Sequence, residues 1–218
     1  MTSNKQRVTS GWAAALLVFA LGAQPAAGAE IIDRTLAVVG GEIVLLSDAN
    51  AAVKFGLIDV PAIGDEAGLR AALNALVDRQ LQLFEVNRYL PPEPAPSAID
   101  ARLGAIRARL GEGGFRAALA ETGMAEAQVR SRVRDNLRIE SYRAQRFGAA
   151  LQPTDDDLLR YYRANEATFT KNGVLQPFDD VRAAVRDQLV RERSGALIAE
   201  WLDTLRRRAE IQILLAPR

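Results

Sequence analysis

The stretch "EIQILL", residues 210–215, lies near the end of a chain otherwise written in helical periodicity. Its alternation of apolar and polar residues reads as a β-strand. A lone strand leaves a row of unpaired backbone groups, so it needs a partner. The candidate partners lie at the other end, in "IIDRTLAVVGGEIVLLSD", residues 31–48. There apolar and polar residues partly alternate, and Gly40-Gly41 can supply the positive φ angles of a tight hairpin turn. The two ends are therefore expected to meet in one small antiparallel sheet, closing the helices between them into a single unit. The expected fold class is mainly α, a multi-helix core with a small sheet made by the N-terminal hairpin and the C-terminal strand.

The helices follow in order. Ser47 is a good N-cap for "DANAAVKFG", which Gly56 can stop. In "DEAGLRAALNALVDRQLQLFEVNRYL", Leu69, Leu73, Leu76, Val77, Leu83 and Phe84 share one face. "PPEPAPS", residues 91–97, ends that helix and acts as a short stiff spacer. Ser97 is placed to cap "AIDARLGAIRARLG", with Ile99, Leu103, Ile106 and Leu110 on a stripe. A Gly-rich turn, "GEGG", leads to the short helix "FRAALAETG". A long helix follows from Met124, with Val129, Val133 and Leu137 inward and Ile139 and Tyr142 widening the apolar face. Thr154 opens the next helix, with Asp157 completing an approximate capping box. In the last helix Phe178, Val181, Val185, Leu189, Leu197, Trp201 and Leu205 run along one face. Between these two helices, "ATFTKNGVLQPFDD" breaks the chain with a turn built on Asn172-Gly173 and Pro177.

Composition bounds the chemistry. The chain has 218 residues, 49% of them hydrophobic and only 6% aromatic, which favours a helical protein. Lys and Arg number 28 against 27 Asp and Glu, so bulk charge gives no reason to expect nucleic acid. There is no Cys, hence no disulfide and no thiolate chemistry. There is no His, hence no imidazole acid or base, no Ser-His-Asp triad and no His-ligated metal.

The N-terminus suggests a compartment. Lys5 and Arg7 precede the apolar run "WAAALLVFALG", which is short for a bilayer span. Ala27 and Ala29 then occupy the small-residue positions of a cleavage site. Residues 1–29 read as a secretory signal cleaved between Ala29 and Glu30, which implies a periplasmic protein with no stable membrane insertion. An uncleaved anchor and a buried N-terminal helix are the alternatives. The remainder, 30–218, reads as one domain: a helical lobe over about 66–150, closed by 30–56 and 154–218.

No motif singles out a catalytic site. Asp155, Asp156 and Asp157 could hold a divalent ion, but helix capping and the helix dipole explain three acids at a helix start. The arginines Arg130, Arg132, Arg134, Arg138, Arg143 and Arg146 could face a nucleic acid. Asp135 and Glu140 interrupt them, and a solvated helix face is the simpler reading. "VVGGE" lacks the wider pattern of a phosphate loop. No cofactor and no metal are expected. Phe115, Leu119 and Met124 lie on an amphipathic segment and are candidate client-binding residues. They are either core, or an open groove whose Phe, Leu and Met re-pack around varied apolar peptides.

Five segments, in order, resemble the SurA-type periplasmic chaperones. They are the opening hairpin leading to Ser47-Asp48, "ALVDRQLQLFEVNR", "AETGMAEAQVRSRVRDNLRIE", "PTDDDLLRYYRANEATF" and the C-terminal segment 177–214. In that family one or two parvulin-type prolyl isomerase domains lie between the last two segments. Here about eight residues, 170–177, remain there, too few for such a domain. The resemblance therefore implies the chaperone core alone, an ATP-independent holdase for unfolded outer-membrane proteins. A residual prolyl isomerase and a dedicated adaptor for one periplasmic complex are the rival expectations. The enzyme reading is the weaker one, since the parvulin domain and every His are missing.

Overall fold

A computed structural model describes residues 33–215. The signal segment and its cleavage position at Ala29 and Glu30 lie outside the described residues. Among those described, six α-helices and five short strands form the architecture. Strands β1 (Thr35–Val39) and β2 (Glu42–Leu45) make a hairpin, and β5 (Ile211–Ile213) adds to the other side of β1, giving the order β2-β1-β5. Both pairings are antiparallel, with Val38 opposite Ile43 on one side and Gln212 on the other. Bonds from Gly40 N to Glu210 O and from Leu214 N to Leu36 O, both 2.8 Å, bracket the second pairing. The two ends of the described chain thus meet in one sheet.

The hairpin turn places Gly40 at φ 56° and Gly41 at φ 88°, a region that side chains disfavour. Gly40 is needed for a second reason. A Cβ there would lie 2.9 Å from the Phe84 ring, which packs on the turn. Leu36 and Ala37 are both fully buried although adjacent, because the register slips between Thr35 and Ala37. A bulge of this kind turns two successive residues toward the core.

Helix α1 (Leu46–Lys54) begins one residue before Ser47, so Ser47 is not its cap. Leu45 is the N-cap, and Asp48 in the first turn accepts its N–H at 3.0 Å. Gly56, at φ 62°, ends the helix as its type suggests. Helix α2 (Glu66–Tyr89) packs against β1, α1, α4 and α6. Its buried residues go beyond a single stripe because it is surrounded on several sides. Even Arg79 and Gln82 are buried. Leu90 stops α2 in a left-handed conformation, φ 47°.

Helix α3 (Pro96–Thr122) starts with Pro96 inside its first turn, so Ala95 rather than Ser97 is the N-cap. Proline suits this position because its missing N–H is unpaired there in any case. The helix kinks at Gly111 (φ 70°, ψ 159°), where the Gly-rich turn was expected. The spacer before it is pinned. Pro91 is buried, and Arg138 reaches Asn87 Oδ1 at 3.0 Å and Glu93 Oε1 at 3.1 Å.

Helices α4 (Glu126–Phe147), α5 (Asp155–Ala164) and α6 (Phe178–Arg208) complete the fold. Between α5 and α6, β3 (Thr170–Lys171) and β4 (Val174–Leu175) form a minimal hairpin. Asn172 and Gly173 turn it with φ 53° and 77°. The break between these helices is therefore a small ordered structure, not only a turn. Tyr162 supports it by donating its hydroxyl to Gln176 O at 2.5 Å.

Two apolar clusters form. The larger one joins the sheet, α1 to α4 and the C-terminal half of α6, and includes Leu36, Phe55, Val77, Phe115, Val133 and Trp201. The smaller one joins Leu158, Tyr162, Phe169, Val185 and Leu189. Each fully buried Leu, Val or Phe contributes roughly 1.5–3 kcal/mol. Helix α6 is shared: Val185 and Leu189 serve the small cluster, Trp201 and Leu205 the large one. No residue from 190 to 200 is fully buried. The small cluster thus connects to the main body chiefly through one continuous helix.

Candidate functional site

A cleft of about 710 Å³ lies between the loop after α1, α2, α3, α4 and α6. Its apolar lining includes Leu57, Ile58, Val60, Ile139 and Leu202. Its polar lining comes mainly from two helix faces. On α2 these are Asp78, Arg79 and Gln82; on α4, Asn136, Glu140 and Arg143 stand at i, i+4 and i+7.

These side chains build the floor by connecting distant elements. Asn136 Oδ1 accepts from Arg79 Nε at 2.7 Å, and Asn136 Nδ2 donates to Leu57 O at 2.7 Å. One amide therefore links α2, α4 and the loop after α1. Arg79 also donates from Nη2 to Arg132 O at 3.3 Å, while Asp135 lies 3.7 Å away. Gln82 is 3% exposed; it donates to Asp78 O at 2.9 Å and accepts from Arg143 Nε at 2.6 Å. Burial lowers the pKa values of Arg79 and Arg143, with neighbouring carboxylates opposing the shift. Both remain cations at neutral pH, since arginine starts so high.

The rim is charged as well. Arg102 pairs with Glu140 through two bonds, at 3.0 and 2.9 Å. Arg206 Nε bonds Asp78 Oδ1 at 2.7 Å. Arg109 donates to Lys54 O at 3.1 Å. Asp59 is exposed on the loop. The arrangement combines apolar contact area with a few fixed hydrogen-bonding groups, the mixture typical of ligand-binding clefts.

The three residues singled out from sequence lie elsewhere. Phe115 is 1% exposed and packs edge-on against Phe55, centroids 5.8 Å apart, with Arg107 over its ring. Leu119 and Met124 are half-buried against the same cluster. Phe115 therefore belongs to the core. Large apolar side chains are exposed at other places: Ile43, Tyr89, Leu90, Val174, Leu175, Ile213 and Leu214. They are scattered over the sheet, the end of α2 and the β3–β4 hairpin.

Two of the three acids at the start of α5 are bound internally. Thr154 and Asp157 cap each other at 3.1 and 3.2 Å. Asp157 also meets Arg193 at 3.2 Å and Arg160 at 2.5 Å, and Asp155 bonds Arg182. The Arg193 bond, followed by the Thr154 N–H and Arg160, holds the Asp157 carboxyl well below the usual carboxylate range. Among the described residues no group of three His, Cys, Asp or Glu could hold a metal ion. No described helix is long and apolar enough to cross a membrane. The α4 arginines are also engaged: Arg130 with Asp100, Arg132 with Asp48, Arg138 with Asn87, and Arg146 over Phe147 and Trp201. Comparison of the chain with protein-family models and with curated proteins finds no match.

Proposed function

We propose that the protein is an ATP-independent holdase of the periplasm, of SurA type but without an isomerase domain. Its clients are unfolded polypeptides, chiefly outer-membrane proteins in transit. The observation that carries this reading is the cleft, where apolar side chains stand beside buried and rim polar groups. Unfolded chains expose apolar side chains and unpaired backbone groups together, and a mixed surface meets both needs. Binding the unfolded state by mass action requires no nucleotide. The short hairpin between α5 and α6, at the position where the resembling family carries its isomerase, supports a scaffold that acts by binding alone.

A photo-crosslinking amino acid at Asp59, on the cleft rim, tests this. Mixed with a urea-unfolded β-barrel protein, the Asp59 probe should capture the client, and a probe at Glu166, which is exposed beside the smaller cluster and does not line the cleft, should capture much less. Equal capture at both positions, or none at Asp59, would refute the cleft as the client site.

A further inference from the structure

The cleft contains arginines that the protein itself leaves without an ionic partner. Its acids are divided unequally. Glu140 is held by Arg102 through two bonds, and Asp78 is held by Arg206. Arg143 contacts only the neutral Gln82 Oε1, through Nε. Its two terminal nitrogens meet no acceptor among the described residues. Gln82 is fixed in that orientation, because its own N–H₂ donates to Asp78 O. Arg109 likewise has a neutral partner, the carbonyl of Lys54. Asp59 is the lining carboxylate with no ion pair; it lies on the exposed rim. The cleft therefore carries two cations, Arg143 half-buried and Arg109 on the exposed rim, whose charge only more distant groups offset.

We propose that Arg143, assisted by Arg109, binds a carboxylate of the client peptide, with adjacent apolar residues on Leu57, Ile58, Ile139 and Leu202. This rests on the client-binding reading above and specifies its chemistry. A guanidinium offers two parallel N–H donors that match a carboxylate's two oxygens. A single negative charge suits the site, since Glu140 and Asp78 nearby repel a larger anionic group. The apolar lining requires that the carboxylate be flanked by apolar side chains. A chain terminus and an internal Asp or Glu can both supply such a group. Gln82 is what keeps the site open: an acid there would neutralise Arg143 from within.

Peptide binding to the purified protein as secreted tests this, by anisotropy of a heptapeptide of Leu, Val, Ser and Phe with a neutral dye. Three forms are compared: the free C-terminal acid, its amide, and the amide with one central Glu. At least one carboxylate form should bind about tenfold or more tighter than the plain amide, with the difference shrinking at high salt. Preference for the free acid identifies the terminus as the ligand, and preference for the Glu form identifies a side chain. Arg143→Gln should abolish the preference, and Arg109→Gln, at an exposed position, should reduce it several-fold. If Arg143→Gln fails to fold, the exposed variant decides. Equal affinities for all three forms, or a preference that survives these substitutions, overturns the proposal. An aggregation assay on the same preparation separates the two claims. Client protection without carboxylate preference refutes this inference alone. Neither peptide binding nor protection refutes both.

Discussion

Replacing Asn136 by Ala should destabilise the protein more than any other polar truncation in the cleft. Asn136 is half-buried on α4, yet its amide holds two other elements. Truncation leaves Leu57 O, on a buried residue, without its donor. Each buried group left unsatisfied costs about 1–3 kcal/mol, and bonds to charged groups lie toward the upper end. Arg79, 9% exposed, also loses its shortest bond and keeps only the longer contacts to Arg132 O and Asp135. Water entering from the open cleft can restore part of this loss. The net expectation is about 2–4 kcal/mol, read from urea unfolding at constant m-value. Hydrogen exchange should quicken in the loop after α1 before it does in β1, because Asn136 is that loop's tether to α4. A double-mutant cycle with Arg79→Met should give a coupling of about 0.5–3 kcal/mol. A loss below about 0.5 kcal/mol with unchanged loop exchange would show that the amide does not organise the floor.

Other substitutions test separate parts. Phe115→Ala should cost about 3–5 kcal/mol in unfolding experiments, while client affinity per folded molecule stays unchanged; lost affinity at full stability would return Phe115 to the binding surface. Asp157 has a depressed folded-state pKa, so its contribution is present above the unfolded value and is lost as pH falls through the folded one. Amide exchange in α5 should therefore stay slow in mildly acidic solution and quicken only below the usual carboxylate range. Asp157→Asn should remove that acid dependence, and an unchanged profile would contradict the assignment. A small folded domain inserted between Asn172 and Gly173 should leave thermal unfolding of the main body within a few degrees of the parent. Loss of the main core would show that the hairpin is coupled to the sheet.

The elements that were legible in sequence are those fixed by local chemistry. Gly40-Gly41 and Asn172-Gly173 specify positive φ angles wherever they stand, and both are hairpin turns. The Thr154–Asp157 box needs only residues three apart. The β1–β5 pairing followed from a strand with no local partner. Helix starts were less legible. Ser47 and Ser97 are good caps by type, but the chain starts each helix earlier, with Asp48 reaching back to Leu45 in one case and Pro96 opening the first turn in the other. The cleft was not legible. Arg79 and Asn136 are 57 residues apart, as the hydrogen bond between them records. Their spacing with Gln82 and with Arg143 was visible, but a solvated helix face shows the same i, i+4, i+7 pattern. Only packing distinguishes a polar stripe that faces another helix. Phe115 could be read as core or as groove for the same reason: an amphipathic stripe does not say whether a partner covers it, and here Phe55 does.

Turn chemistry closes the sheet, the sheet ties the ends, and the helices between them leave a mixed cleft that polar side chains hold open. The proposed function is then binding. The most direct measurement is light scattering of a urea-unfolded β-barrel protein diluted into buffer with and without this protein, each with and without ATP. The proposed holdase should slow aggregation near equal molar ratio, and ATP should make no difference. Unchanged aggregation at a tenfold molar excess, or protection that depends on ATP, would contradict it.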